Sequence, residues 1–293
     1  MTAQRSSIGQ GALSMAFDAG KGGRIISFQW KGYEFLTDAG VHPDNYGSTF
    51  WPSPQSAWNW PPPPVIDTGP YTVEEGVYSA KLLGGHDPMS GLQCVKELTA
   101  SGEAWLTVRY SLINRGSGTK RAAPWEITRV RKGGLFFFPL GEPPLRKKHF
   151  APVRADLIDG IVWVKDSRER PAENLLSIAD GAEGWVAYAI DGRVLIKKYA
   201  DSPPEDQAPG EAEVLLYMSS EADYLEIELQ GRYDTIGPGE HSQGDVEWTA
   251  AAIPPDMPVE SGNGSLVRLV RRIAESSAGA LRGGDRNTGY RRI

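Results

Sequence analysis

A chain of 293 residues, 40% of them hydrophobic and 23% charged, can bury a sizeable core and has the balance of a soluble globular protein. Its net charge of −6 argues against a nucleic-acid partner, and its single cysteine, Cys94, excludes an internal disulfide and any cysteine-rich metal site. No stretch reaches the run of about 18 apolar residues that spans a membrane, and the N-terminal MTAQRSSIGQGAL lacks an apolar signal core. A cytoplasmic location is therefore expected by default, unless a leader has been removed.

Glycine (34) and proline (22) are abundant enough to favour many turns over long helices. Residues 12 to 36 predict short strands, with Lys31-Gly32 as a hairpin turn in RIISFQWKGYEFL. Residues 47 to 64, GSTFWPSPQSAWNWPPPP, place Trp51, Trp58 and Trp60 among six prolines, with Gln55 and Asn59 supplying amides. The four consecutive prolines predict an extended polyproline II segment. A rigid loop bearing flat rings suits the wall of a ligand site, because such rings offer apolar area with little entropy to lose; the alternative is a stiff loop filling a satellite core.

Residues 91 to 113 read as two antiparallel strands. In the second, Leu106, Val108, Tyr110 and Leu112 share the inward face. Cys94 is expected as a small buried hydrophobe. PWEITRVRKGGLFFFPL, IVWVKD, GWVAYAI and RVLIKKY add strands, with Asp191-Gly192 as a two-residue hairpin turn. EVLLYMSS, DYLEIELQG and DVEWTAAAIP follow. Short strands at this spacing predict a large antiparallel sandwich over residues 1–260.

Residues 261–293 differ. SLVRLVRRIAESSAGAL has Leu266, Leu269, Val270 and Ile273 at helical spacing, and seven arginines against two acids give this segment a charge of 7 − 2 = +5. It is either a basic arm for an acidic partner or membrane surface, or a helix docked on the sandwich with a disordered tail.

Within YLEIELQG, Glu226, Glu228 and Gln230 share one face of a strand. That face is either a site in which one carboxylate acts as general base or an ordinary solvated face. Arg129, Lys197 and Glu213 stand on strands among apolar neighbours, where they line a cleft or form ion pairs. No P-loop, dinucleotide fingerprint or nucleophile elbow is present, and His241 with Asp245 is too weak a pair for a metal, so no cofactor or metal is expected.

EIELQGRYDTIGPGEHSQGDVEW resembles the closing segment of the galactose mutarotase (aldose 1-epimerase) superfamily, in which a Leu-Glu-x-Gln strand bears the catalytic glutamate and a Pro-Gly-Glu turn precedes the last strand. YSLINRGSGTKRAAPWEITRV is similar to that superfamily's strand, Asn-x-Gly turn and following strand. GSTFWPSPQ looks like the loop of its hexose-phosphate epimerase branch, and the chain looks closest to a bacterial family marked by a Trp-Pro-Ser-Pro-Gln loop. The resemblance implies an all-β supersandwich of antiparallel strands with a sugar cleft and Glu228 as base. Its usual histidine acid is replaced here by Trp125 or Glu126, and His86 stands for a second, upstream histidine.

The site expected on this basis has Glu228, Glu126 and His86 as catalytic groups. Trp51, Gln55, Trp58, Trp60, Arg129, Lys197, Glu213 and Glu226 would bind a mono- or oligosaccharide. A protonated Glu126 facing Glu228 would supply the acid. The alternatives are a carbohydrate-binding protein without catalysis, or a lyase or hydrolase holding a uronate with Arg129 and Lys197.

Overall fold

The computed structural model describes residues 5–277 apart from residues 103 and 143. The expected C-terminal tail, from residue 278 on, lies outside the described residues.

The predicted strand segments are strands, many of them buried on both faces. β1 (Arg5–Gln10), β2 (Leu13–Asp18), β3 (Arg24–Trp30), β4 (Tyr33–Glu34) and β5 (Ser48–Ser53) come first. A short helix, α1 (Pro64–Asp67), leads to β6 (Thr72–Glu75), β7 (Ser79–His86), β8 (Leu92–Ser101), β9 (Trp105–Asn114) and β10 (Lys120–Arg131). Next are β11 (Leu135–Pro139), β12 (Arg146–Lys147), β13 (Asp156–Ile158), β14 (Ile161–Lys165), β15 (Leu175–Ala179), β16 (Trp185–Ile190) and β17 (Arg193–Tyr199). Finally come β18 (Val214–Met218), β19 (Tyr224–Gln230), β20 (Asp234–Ile236), β21 (His241–Ala252) and the helix α2 (Gly264–Glu275).

Among the described residues these strands form two antiparallel sheets of 11 and 10 strands. The first runs β1-β2-β3-β5-β10-β19-β18-β15-β12, with β4 beside β3 and β20 beside β10. The second runs β13-β14-β11-β16-β17-β21-β9-β8-β7-β6. The two-residue turns Lys31-Gly32 and Asp191-Gly192 have positive φ at both positions (49° and 78°; 48° and 71°), the geometry that matches the twist of the strands they join.

The core lies between the sheets. Phe50, Ile227 and Leu229 from the first meet Val108, Tyr110, Leu195 and Trp248 from the second, and Cys94 is fully buried in the same cluster. The opposite face of the second sheet is also apolar, with Phe137, Trp163, Trp185 and Ile196, and α2 covers it with Leu266, Leu269 and Val270. The C-terminal helix is thus docked, as one of its two readings held. Asn263 caps it by accepting a hydrogen bond from the Ser265 N–H at 2.9 Å. No helix among the described residues is long and apolar enough to cross a membrane.

Candidate functional site

The outer face of the first sheet carries loops and the four-residue helix α1 rather than a long helix. Strand register places Trp51 opposite Trp125, Trp125 opposite Gln230, and Arg129 opposite Glu226. Because side chains alternate along a strand, Trp51, Trp125, Arg129, Glu226, Glu228 and Gln230 share this face, and Phe50, Glu126 and Leu229 take the other.

Glu228 is the centre of the group. It is 3% exposed, and its Oε2 accepts a hydrogen bond from Trp125 Nε1 at 2.8 Å. Burial pushes its carboxyl well above the usual range and the neighbouring Glu226 adds to the rise, while the Trp125 bond and Arg129 oppose it. Arg129 is itself buried. It donates from Nε to Glu226 at 2.8 Å and from a terminal nitrogen to Thr49 Oγ1 at 3.1 Å, and its guanidinium lies 5.6 Å from the Trp51 ring centre. Gln230 accepts from Ser53 Oγ at 2.5 Å and donates to Glu211 at 3.1 Å, and Glu211 pairs with Lys148.

The Trp/Pro loop covers this floor. Trp51 packs edge-on against Trp58, Trp60 and Trp125 at 5.9, 5.9 and 5.5 Å, and Trp58 lies 6.3 Å from Trp125. Trp58 Nε1 donates to the Pro52 carbonyl at 2.7 Å, while Trp60 is 59% exposed at the rim. Gln55 sits half-buried in a 3-10 turn, Gln55–Ala57, and its main-chain carbonyl accepts from Trp58 and Asn59. The proline run is extended only in part: Pro64 starts α1, where a missing N–H costs nothing. That helix carries Asp67, which accepts from Trp51 Nε1 at 2.9 Å and pairs with the buried Arg24 at 3.3 Å. Further along the same face Tyr217, Tyr224, Phe150 and His42 make an aromatic row with ring centres 6.0 to 6.3 Å apart.

Several expected members of the site stand elsewhere. Glu126 is opposite Leu229 in register, so it points between the sheets and away from Glu228. There it pairs with the buried Lys197 of β17 and accepts from Ser48 and Thr128. Lys197 also lies 4.1 Å from the Trp248 ring centre. On the outer face the side chain that meets Glu228 is therefore that of Trp125. His86 is exposed and belongs to the second sheet, paired with Gln93, so it cannot join Glu228. Glu213 accepts from the main-chain N–H of Ser202 at 2.6 Å and of Gly181 at 3.2 Å, pinning two loops at one end of the sandwich. Burial raises its carboxyl to about 9.

Arg24, Asp67, Glu211 and Lys148 join the outer-face network without having been singled out in the sequence. Arg24 and Asp67 are separated by 43 residues, and no local pattern links them.

The two packed sheets, their strand order and the docked helix define a galactose mutarotase-like β-supersandwich. A galactose mutarotase-like protein from Lactobacillus casei ATCC 334 superposes with a TM-score of 0.58 at 13% identity, covering 84% of this chain and 100% of that one. A candidate aldose 1-epimerase from Escherichia coli K12 gives 0.55 at 12% identity, covering 85% and 99%. A TPR-domain containing protein from Parabacteroides distasonis ATCC 8503 gives 0.60 at 16% identity, covering 92% of this chain but 48% of its own. At these identities the likeness is one of fold. The sequence matches no protein-family model and no curated protein.

Proposed function

We propose that the outer face of the first sheet is a carbohydrate site and that Glu228 is its general base for aldose 1-epimerase-type chemistry. One observation carries this reading. A buried carboxyl of raised proton affinity, oriented by an indole N–H, lies beside an Arg–Glu pair beneath a cluster of four tryptophans. The Glu228 carboxylate, once ionised, is a stronger base than an exposed glutamate and would take the proton of the anomeric hydroxyl as the ring opens. The rings of Trp60, Phe150 and Tyr217 at the rim offer flat apolar faces to the C–H surfaces of a sugar.

Arg129 and Lys197 favour a neutral sugar over a uronate. Each is already paired with a carboxylate, Glu226 and Glu126 respectively, and Lys197 faces the interior. This removes the observation behind lyase or hydrolase chemistry on acidic polysaccharides.

A second reading, binding without catalysis, is favoured by the placement of the histidines. His42 is held in a loop with its Nδ1 accepting from the Asp44 and Asn45 N–H groups, and His86, His149 and His241 are exposed. Among the described residues no hydrogen bond joins any of them to Glu228.

NMR exchange spectroscopy between sugar anomers separates the two readings. Wild type is expected to accelerate exchange of a neutral aldose, with a rate that rises with pH through a midpoint well above the usual glutamate value of about 4.3. Glu228→Gln is expected to abolish the acceleration. Shifted sugar resonances without faster exchange would establish the binding protein, and the absence of both effects across aldoses, uronates and hexose phosphates would refute both readings.

A further inference from the structure

A cavity lies on the other side of the first sheet. Between the sheets, where β10, β19 and β20 oppose β17 and β21, about 670 Å³ of space opens to the surface. That volume is within the range of small-molecule sites. Its buried floor is Tyr110, Pro124, Glu126, Leu229 and Val246. The space exists because two glycines face Pro124: a Cβ on Gly231 would lie 3.5 Å from the proline ring and one on Gly244 3.8 Å. These are ordinary contacts, and any longer side chain there would enter the cavity.

The mouth is acidic. Asp201, Asp206, Asp234 and Glu240 line it, and with Glu126 they make five carboxylates. Arg232 pairs with both Asp206 and Asp234, and Lys197 with Glu126, leaving a charge of −5 + 2 = −3. Asp201 and Glu240 have no salt-bridge cation among the described residues. On the floor lies the buried Tyr110 phenol. An apolar and phenolic floor beneath an excess of carboxylates complements a compact molecule with C–H faces, hydroxyls and a positive charge.

We infer that this inter-sheet cavity is a second ligand site, for a polyhydroxylated molecule bearing a protonated amine, of the amino-sugar class. It is independent of any role for Glu228, whose side chain lies on the opposite face of the sheet.

Calorimetric titration with glucosamine, glucose and glucose 6-phosphate tests the inference with three ligands of one shape and different charge. Glucosamine is expected to bind about tenfold or more tightly than glucose, as one charge-assisted hydrogen bond provides. Added salt should weaken its binding and glucose 6-phosphate should not bind. Asp201→Asn, at an exposed position, should weaken glucosamine about tenfold. Gly244→Trp, whose ring would project into the cavity, should weaken it about tenfold or more, with the thermal unfolding midpoint as the check on folding. Glu228→Gln should bind glucosamine like wild type. Equal affinity for glucose, preference for the phosphate, no binding by any of the three, loss of binding in Glu228→Gln, or wild-type binding by Asp201→Asn would each overturn the inference.

Discussion

Glu126 and Glu228 show how one step along a strand separates two chemistries. Their strands pair directly, yet Ile127, not Glu126, stands opposite Glu228. The offset sends Glu228 outward to Trp125 and Glu126 inward to Lys197. Burial lowers the Lys197 ammonium to about 8, with Glu126 opposing the fall. A pair so placed matters less for what it adds than for what is left if one partner goes. Lys197→Met is expected to cost about 3–5 kcal/mol, because Glu126 would be left between the sheets without its partner. The double variant Lys197→Met/Glu126→Leu should recover most of that loss, and urea denaturation of the set measures it. A double variant no more stable than the single one would show that the ion pair is not the reason for the cost.

At the scale of elements, the two outer faces of the sandwich are finished differently. The second sheet presents Phe137, Trp163 and Trp185 outward, and α2 removes them from water. The first sheet is covered instead by the Trp/Pro loop and the short helix α1. Leu266 and Val270 of α2 are fully buried. Leu266→Ala is expected to destabilise the protein by about 2–5 kcal/mol. The same variant should leave Trp125 and Glu228 undisturbed, so it should lower the denaturation midpoint without changing sugar binding. Loss of sugar binding at a temperature where the variant is still folded would contradict this separation of the faces.

For the molecule as a whole, buried ionisable groups set opposing slopes of stability against pH. Glu213 holds its proton in the folded state between its ordinary 4.5 and about 9, where the unfolded chain releases it. The folded state therefore binds more protons in that window, and stability falls as pH rises through it. Lys96 acts in the opposite sense. Burial lowers its ammonium to about 7 from an ordinary 10.5, so the folded state binds fewer protons between these values and stability rises with pH. Its Nζ donates to the carbonyls of Gly22 and Gly23 at 3.1 and 2.7 Å. Glu213→Gln should remove the fall between pH 4.5 and about 9. Denaturation midpoints across that range are the measurement, and a wild-type-minus-variant difference independent of pH would rule out Glu213 as the source.

Much of this architecture was legible in the chain. Alternation in residues 105 to 112 told which side chains face inward, the Lys31-Gly32 and Asp191-Gly192 pairs marked two hairpins, and the spacing of Leu266, Leu269 and Val270 marked α2. Glu226, Glu228 and Gln230 had to share a face because strand periodicity is local and needs no knowledge of neighbours. Which carboxylate meets which cation was not legible. Glu126 and Lys197 are 71 residues apart, and Glu126 and Glu228 differ in facing by a single step of register between strands distant in sequence. The sequence by itself determined the strands, the turns and the polarity of each strand face, since these depend on neighbouring residues. Only the tertiary structure decided that Trp125 rather than Glu126 stands beside Glu228, that His86 lies on the other sheet, and that two glycines leave a cavity between the sheets. Those outcomes depend on long-range pairing and on how closely the two sheets approach.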